Sequence, residues 1–129
     1  MFPSMPVHAG VSAEVELVVT EADTAVALGS GSVGVLGTPR IVALCEEASC
    51  AAVESWLAPD ETTVGLRVEL THLAPTKVGS RVRAEATLEK TEGRRLVFTV
   101  SVSDVCGLVA AGKMTRVVVN VDEFMEKAR

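Results

Sequence analysis

TPRIVALCEEASCAAVESWL, residues 38–57, is the stretch on which the fold turns. It is expected to be one long helix, N-capped by the Thr38 hydroxyl, with Pro39 in the first turn where its missing N–H costs nothing. Ile41, Leu44, Cys45, Ala48, Ala52, Ser55 and Trp56 recur at the i, i+3, i+4, i+7 spacing of one buried face. At about 100° per residue, Val42, Cys50, Val53 and Leu57 gather on the opposite side, and Glu47 and Glu54 share a narrow stripe between the two. Glu46 projects into this second apolar group, where a carboxylate needs a partner or a purpose.

Downstream of the helix, Pro59 and Asp60 turn the chain and four β-type segments follow. In residues 62–73, alternation puts Val64, Leu66, Val68, Leu70 and His72 on one face and Gly65, Arg67, Glu69 and Thr71 on the other. Residues 74–79 read as a turn. Residues 81–90 alternate Val82, Ala84, Ala86 and Leu88 against charged neighbours, and residues 91–93 make a hairpin. Residues 96–102 and 108–121 complete the set, with Gly112 a bulge or kink, and Asp122 caps a short helix through residue 127. Upstream, residues 11–20 alternate as a first strand, while residues 21–28 fit either a helical turn or an extended piece. Residues 29–37, rich in glycine and serine, form a flap that ends at the helix cap. Residues 1–10 read as a loose tail, in which His8 is exposed and has no role.

With 129 residues, 48% hydrophobic and 22% charged, the chain is of ordinary size for one core, so residues 11–129 are read as a single domain. A net charge of −5, a pI near 5.0 and the lack of a basic run argue against a nucleic-acid partner. No stretch is apolar enough to span a membrane, and residues 1–10 lack the features of a signal peptide, so a cytoplasmic protein is expected. Cys45, Cys50 and Cys106 are odd in number and show no C-x-x-C spacing, which reads as free, reduced thiols. No metal or other cofactor is expected.

The architecture is therefore α+β: one long central helix wrapped by a five-stranded antiparallel sheet whose short connections favour antiparallel pairing. A helix apolar on two sides needs cover on two sides, and one sheet supplies one. The remaining cover is expected from the 29–37 loop and a second subunit, hence a homodimer.

This order of elements resembles the hotdog fold. Within it, Gly37-Thr38, Leu44-Cys45-Glu46, Gly65, Thr71-His72, Pro75, Gly79 and Glu92-Gly93-Arg94-Arg95-Leu96 resemble the fluoroacetyl-CoA thioesterase family, a likeness running from about residue 37 to the C-terminus. The resemblance implies catalytic roles for Thr38, Glu46 and His72, and a place for Gly65 near the acyl group. The family's named member carries phenylalanines in the segment before the catalytic threonine, where they gate the pocket. Residues 28–36 here hold none. Hydrolysis of acyl-CoA thioesters is therefore expected with little preference for the fluoroacetyl group.

The residues support such chemistry on their own terms. Thioester hydrolysis needs an activated nucleophile or water, a proton donor for the leaving thiolate and donors for an oxyanion. Glu46 is the candidate base or nucleophile. His72, of the side-chain type that titrates nearest neutral pH, is the candidate proton shuttle, and Thr38 orients the carboxylate or the substrate carbonyl. Backbone N–H groups beginning after Pro39 are candidate oxyanion donors. Each residue alone has an ordinary reading: an N-cap, a solvated helix glutamate, a satisfied core histidine. A Glu and a His both aimed at apolar sides argue for a shared site. Cys45 and Cys50 lack an activating signature and read as small apolar residues.

The partner is then an acyl-CoA with a small or medium acyl group, whose phosphates need cations. Arg94 and Arg95 are the leading candidates, with Arg40, Arg67, Lys77, Arg81 and Arg83 behind them. The alternative is a non-catalytic acyl-CoA or acyl-carrier binding protein of the same fold, which would not need the acid and base. A hotdog hydratase fits less well, since no His stands near Asp60 or Asp104.

Overall fold

The computed structural model describes residues 7–129, so the first part of the expected tail, residues 1–6, lies outside the described residues. Its strands are β1 (Ser12–Val18), β2 (Glu61–His72), β3 (Arg81–Glu92), β4 (Arg95–Asp104) and β5 (Gly107–Asn120). They form one sheet in the order β1-β3-β4-β5-β2, with every neighbouring pair antiparallel. Around α2 (Thr38–Val53) this sheet curls in the hotdog arrangement. A four-residue helix, α1 (Ala25–Leu28), and a C-terminal turn of helix, α3 (Val121–Glu126), complete it.

Period-two alternation drives the packing. Val82, Ala84, Ala86 and Leu88 of β3 and Phe98, Val100 and Val102 of β4 are buried against Ile41, Leu44, Cys45, Ala48 and Ala52. Alanines on both facing surfaces let the helix lie close to β3, and burying Phe98 alone contributes roughly 1.5–3 kcal/mol. Val53, assigned to the helix's second face, is also fully buried.

Several local expectations are corrected. The N-cap of α2 is Gly37, in extended conformation and without a side-chain cap, so Thr38 is the first helical residue and its hydroxyl is free for other work. The α-helix stops at Val53 and tightens into a 3₁₀ turn over Glu54–Trp56, which turns Ser55 outward instead of into the core. Trp56 is only partly buried, and the exposed His8 ring meets it edge-on at 5.1 Å, so the chain is held there.

In β2 a bulge between Gly65 and Arg67 breaks the single alternating face. Thr63 and Gly65 look toward α2, opposite Val118 and Arg116. Past the bulge Val68, Leu70 and His72 do so, opposite Met114, Gly112 and Ala110. Gly112 itself is no bulge: its register is continuous on both sides, and any Cβ there would collide with the Glu69 carbonyl. The cap of α3 is Asn120, whose side chain accepts from the Glu123 N–H at 3.0 Å, and not Asp122.

The 29–37 segment is not a free flap. The N–H groups of Ala25 and Val26 donate to the Val35 and Val33 carbonyls at 2.9 and 3.3 Å, Leu36 donates to Thr76, and Gly37 donates to Asp23. Leu36 is fully buried. Only the tip around residues 29–34 stays open.

Candidate active site

The first turn of α2 and the end of β2 bring Thr38 and His72 together: Thr38 Oγ1 lies 2.8 Å from His72 Nδ1, and His72 Nε2 lies 3.1 Å from the Ala74 carbonyl oxygen. A carbonyl can only accept, so Nε2 carries the ring proton, Nδ1 of the uncharged ring accepts, and the Thr38 hydroxyl donates. An imidazole oriented by an acceptor on one nitrogen and bonded to a hydroxyl through the other is the arrangement that activates side-chain alcohols or relays protons. Thr38 is exposed, so a substrate can reach the pair.

Glu46 is elsewhere. It lies eight residues further along α2, about 12 Å at about 1.5 Å per residue. Its Oε2 accepts from Arg116 Nη1 at 2.8 Å, and its side chain remains 35% exposed. Arg116, 7% exposed, is fixed by two further bonds, from Nε to Thr63 Oγ1 and from Nη2 to the Thr63 carbonyl, both 2.9 Å. Sequence reasoning missed Arg116. Its signal was there, since Met114, Arg116 and Val118 share the inward face of β5, and an inward arginine needs an anion as much as Glu46 needs a cation. Glu46 and Arg116 line an open concavity of about 390 Å³, together with Ala43, Glu47, Cys50 and Glu54. Gly65 borders it because a Cβ there would sit 2.8 Å from Glu46 Oε2.

A second network holds the start of α2. Asp23 accepts from the Thr20 N–H at 2.7 Å, from Thr20 Oγ1 at 2.9 Å and from Arg40 Nε at 3.1 Å, and its carbonyl accepts from the Gly37 N–H. Burial is the largest single influence on the Asp23 carboxyl and pushes it up. The hydrogen bonds from Thr20 and Arg40 outweigh it together and hold the group below its ordinary value. Arg40 also binds Glu47 at 2.9 Å, and chiefly for that reason its guanidinium titrates higher than usual. The N–H groups of Arg40 and Ile41 both turn back to the Gly37 carbonyl, so the amides expected to serve an oxyanion are occupied. Cys45 is enclosed, and burial, with the charge of Glu46 adding to it, pushes its thiol up to about 12, which suits a packing residue and not a nucleophile. Among the described residues no cluster of three His, Cys, Asp or Glu side chains can hold a metal ion, and no helix is long and apolar enough to cross a membrane.

The profile of the family described as fluoroacetyl-CoA-specific thioesterase matches residues 19–122. The chain belongs to that family. The fluoroacetyl-CoA thioesterase of Streptantibioticus cattleyicolor is 35% identical over 95 residues, covering 74% of this chain and 68% of the relative. A solved structure of the fluoroacetyl-CoA thioesterase FlK superposes with a TM-score of 0.91 at 29% identity, covering 97% of both chains. A Thermus thermophilus hypothetical protein, described as a thioesterase superfamily member, superposes at 0.84 with 29% identity over 94% of this chain and 90% of that one. As an enzyme, the present chain is a thioester hydrolase.

Of the other candidate residues in this thioesterase, Arg94 is engaged: Nε donates to the Val118 carbonyl at 2.9 Å and Nη2 to Glu61 at 3.2 Å. Arg95 is exposed and pairs across the sheet with Val117. Arg67, Arg81 and Arg83 lie beside Glu69, Glu16 and Glu14.

Proposed function

We propose that this thioesterase hydrolyses acyl-CoA thioesters with a small or medium acyl group to the free acid and CoA, using Thr38, His72 and Glu46, and that it works as a homodimer with residues 11–129 as its single domain. The observation that carries the reading is the solvent-accessible Thr38–His72 bond. Hydrolysis forms a C–O bond from water to the carbonyl carbon and breaks the C–S bond; one proton of water passes by way of the base to the leaving thiolate, and the other stays on the acid. Glu46, with Arg116 holding one oxygen and solvent reaching the other, serves as base or nucleophile. Once the ring has taken up a proton on Nδ1, His72 passes it to sulfur through Thr38, and Thr38 orients the carbonyl. Gly65 leaves room for the acyl group beside the carboxylate.

Glu46 and the Thr38–His72 pair are too far apart along one helix to act on one carbonyl, which is met when Glu46 of a second copy approaches the pair. An exposed edge supports such pairing: β2 ends the sheet and carries Leu66 and Val68 at 53% and 43% exposure, interleaved with the mutually paired Arg67 and Glu69 and with no proline in the strand. Sedimentation should therefore give twice the 13.5 kDa chain mass, and a monomer at micromolar concentration contradicts the assembly. For the reaction, acetyl-, fluoroacetyl-, branched and aromatic acyl-CoAs are compared by release of free thiol. With Leu28 and Val33 exposed and no phenylalanine among residues 28–36, acetyl and fluoroacetyl esters should differ little. Binding of acyl-CoA without turnover would leave an acyl-CoA-binding protein and refute the catalytic reading.

A further inference from the structure

We infer that the groove between β5 and α3, flanked by Arg95, Lys127 and Phe124, is the seat of the 3′-phosphorylated adenine nucleotide of the substrate. This rests on the acyl-CoA reading above and adds a place for the end of the molecule farthest from the chemistry. A CoA ester carries its negative charge on the nucleotide, so that end goes where cations are not already spent. Eight of the chain's basic side chains are in ion pairs. Among the described residues, Lys77, Arg95, Lys127 and Arg129 are the basic side chains outside such pairs.

One of these four lines a groove of about 410 Å³, and a second stands beside it. Lys127 lines it from α3. Arg95 flanks it through Val117, its cross-strand partner, which forms part of the floor. Arg94 lies along the same groove, but its bonds to Glu61 and the Val118 carbonyl make it a structural tie. The third component is aromatic. Phe98 is buried in the core, whereas Phe124 is 39% exposed on the groove wall, where a planar base can stack. Glu123 adds one negative charge to the rim, outnumbered by the cations around it.

Charge sorting excludes the other end of the site. The concavity around Glu46 is lined by Glu46, Glu47 and Glu54 against Arg116 alone, which repels phosphates. The two places lie on one strand: Arg116 and the groove residue Asn120 are separated by about 13 Å at roughly 3.3 Å per residue. An extended pantetheine arm can therefore leave the acyl site and deliver its nucleotide around the end of the sheet.

Adenosine 3′,5′-bisphosphate and AMP serve as direct binding probes in calorimetry, and acyl-CoA and the matching acyl-pantetheine as paired substrates. The variants are Arg95→Glu combined with Lys127→Glu, Phe124→Ala, and Lys113→Glu as a charge-reversal control farther along β5, where Lys113 pairs with Glu89. Wild type should bind the bisphosphate more tightly than AMP. The double reversal should weaken that binding about tenfold or more and raise KM for acyl-CoA to match, with kcat and all acyl-pantetheine kinetics unchanged. Phe124→Ala should shift both in the same direction, and Lys113→Glu should shift neither. The inference is overturned if wild type fails to bind the bisphosphate, if the double reversal leaves binding intact, if KM rises equally for both substrates, or if the nucleotide binds without influencing KM for acyl-CoA. Failure of the acyl-CoA reading itself looks different, because wild type would then release thiol from neither substrate.

Discussion

Glu46→Gln separates the chemistry of this enzyme from its architecture. The amide keeps the shape of the carboxylate, and its carbonyl can still accept from Arg116 Nη1, which is 2.8 Å away. What is lost is the charge. A charge-assisted hydrogen bond is stronger than a neutral one by about 1 kcal/mol, and the 35% exposure of Glu46 lets water screen part of that, so the folded state should weaken by roughly 1 kcal/mol or less. The rate should behave differently. Without its base or nucleophile the enzyme should lose about 10²–10⁴ in kcat, the usual worth of such a group. His72→Ala should fall in the same range, and the double variant should be little worse than either single one, as expected for residues acting on one carbonyl. The assay is thiol release from a short acyl-CoA, compared at matched folded fraction by circular dichroism and matched oligomeric mass. If Glu46→Gln in folded protein retains near-wild-type kcat, the proposed mechanism is wrong, and Glu46 is simply the counter-ion of Arg116.

Three further outcomes follow from particular contacts. Thr38→Val should cut the rate yet change stability by less than about 1 kcal/mol, because Gly37 and not Thr38 caps the helix; a melting temperature lowered as by a lost cap would contradict this. Asp23 titrates below the ordinary 3.8 in the folded state, so its network adds stability above that pH and loses it as pH falls through the depressed value. Asp23→Asn should therefore lower stability near neutral pH by roughly 1–2 kcal/mol and flatten the acid side of the stability profile, and an unchanged acid limb in urea titrations would count against it. The Thr76 hydroxyl is enclosed with no partner among the described residues, so Thr76→Val should raise stability by about 1 kcal/mol in the same titrations, whereas destabilisation would reveal a polar contact there.

How much of this was legible in the sequence depends on whether a feature is local. The sheet was readable because Val82 to Leu88 and the inward positions of β4 obey a strict period of two, and α2 because its apolar residues recur on a turn. The bulge after Gly65 was not, since the run from Val64 to Leu70 alternates without a break and the slip is imposed by pairing with β5. Thr38 looked like a cap because threonine before proline usually is one; its hydroxyl is instead taken by a histidine from another element, 34 positions on. The same holds for Arg116, 70 positions from its carboxylate partner. Thr38, Glu46 and His72 were singled out by family resemblance and by their apolar surroundings, but that the first and last touch while the middle one faces an arginine is a tertiary fact that no local pattern encodes.

The enclosed Cys45 bears on how this protein behaves toward reagents. With its thiol held up to about 12 and out of solvent, it is chemically silent toward electrophiles and oxidants at ordinary pH. A disulfide dye used to count CoA released in the assays above will therefore see a background from the enzyme of Cys106 at once and Cys50 more slowly, and no third equivalent until the chain unfolds. The delayed third equivalent is a built-in clock for global opening of the core, read in a separate sample of enzyme and dye without substrate. Its neighbour Cys50, on the wall beside Glu46, makes the dye itself a reagent that must be added after quenching and never during the reaction.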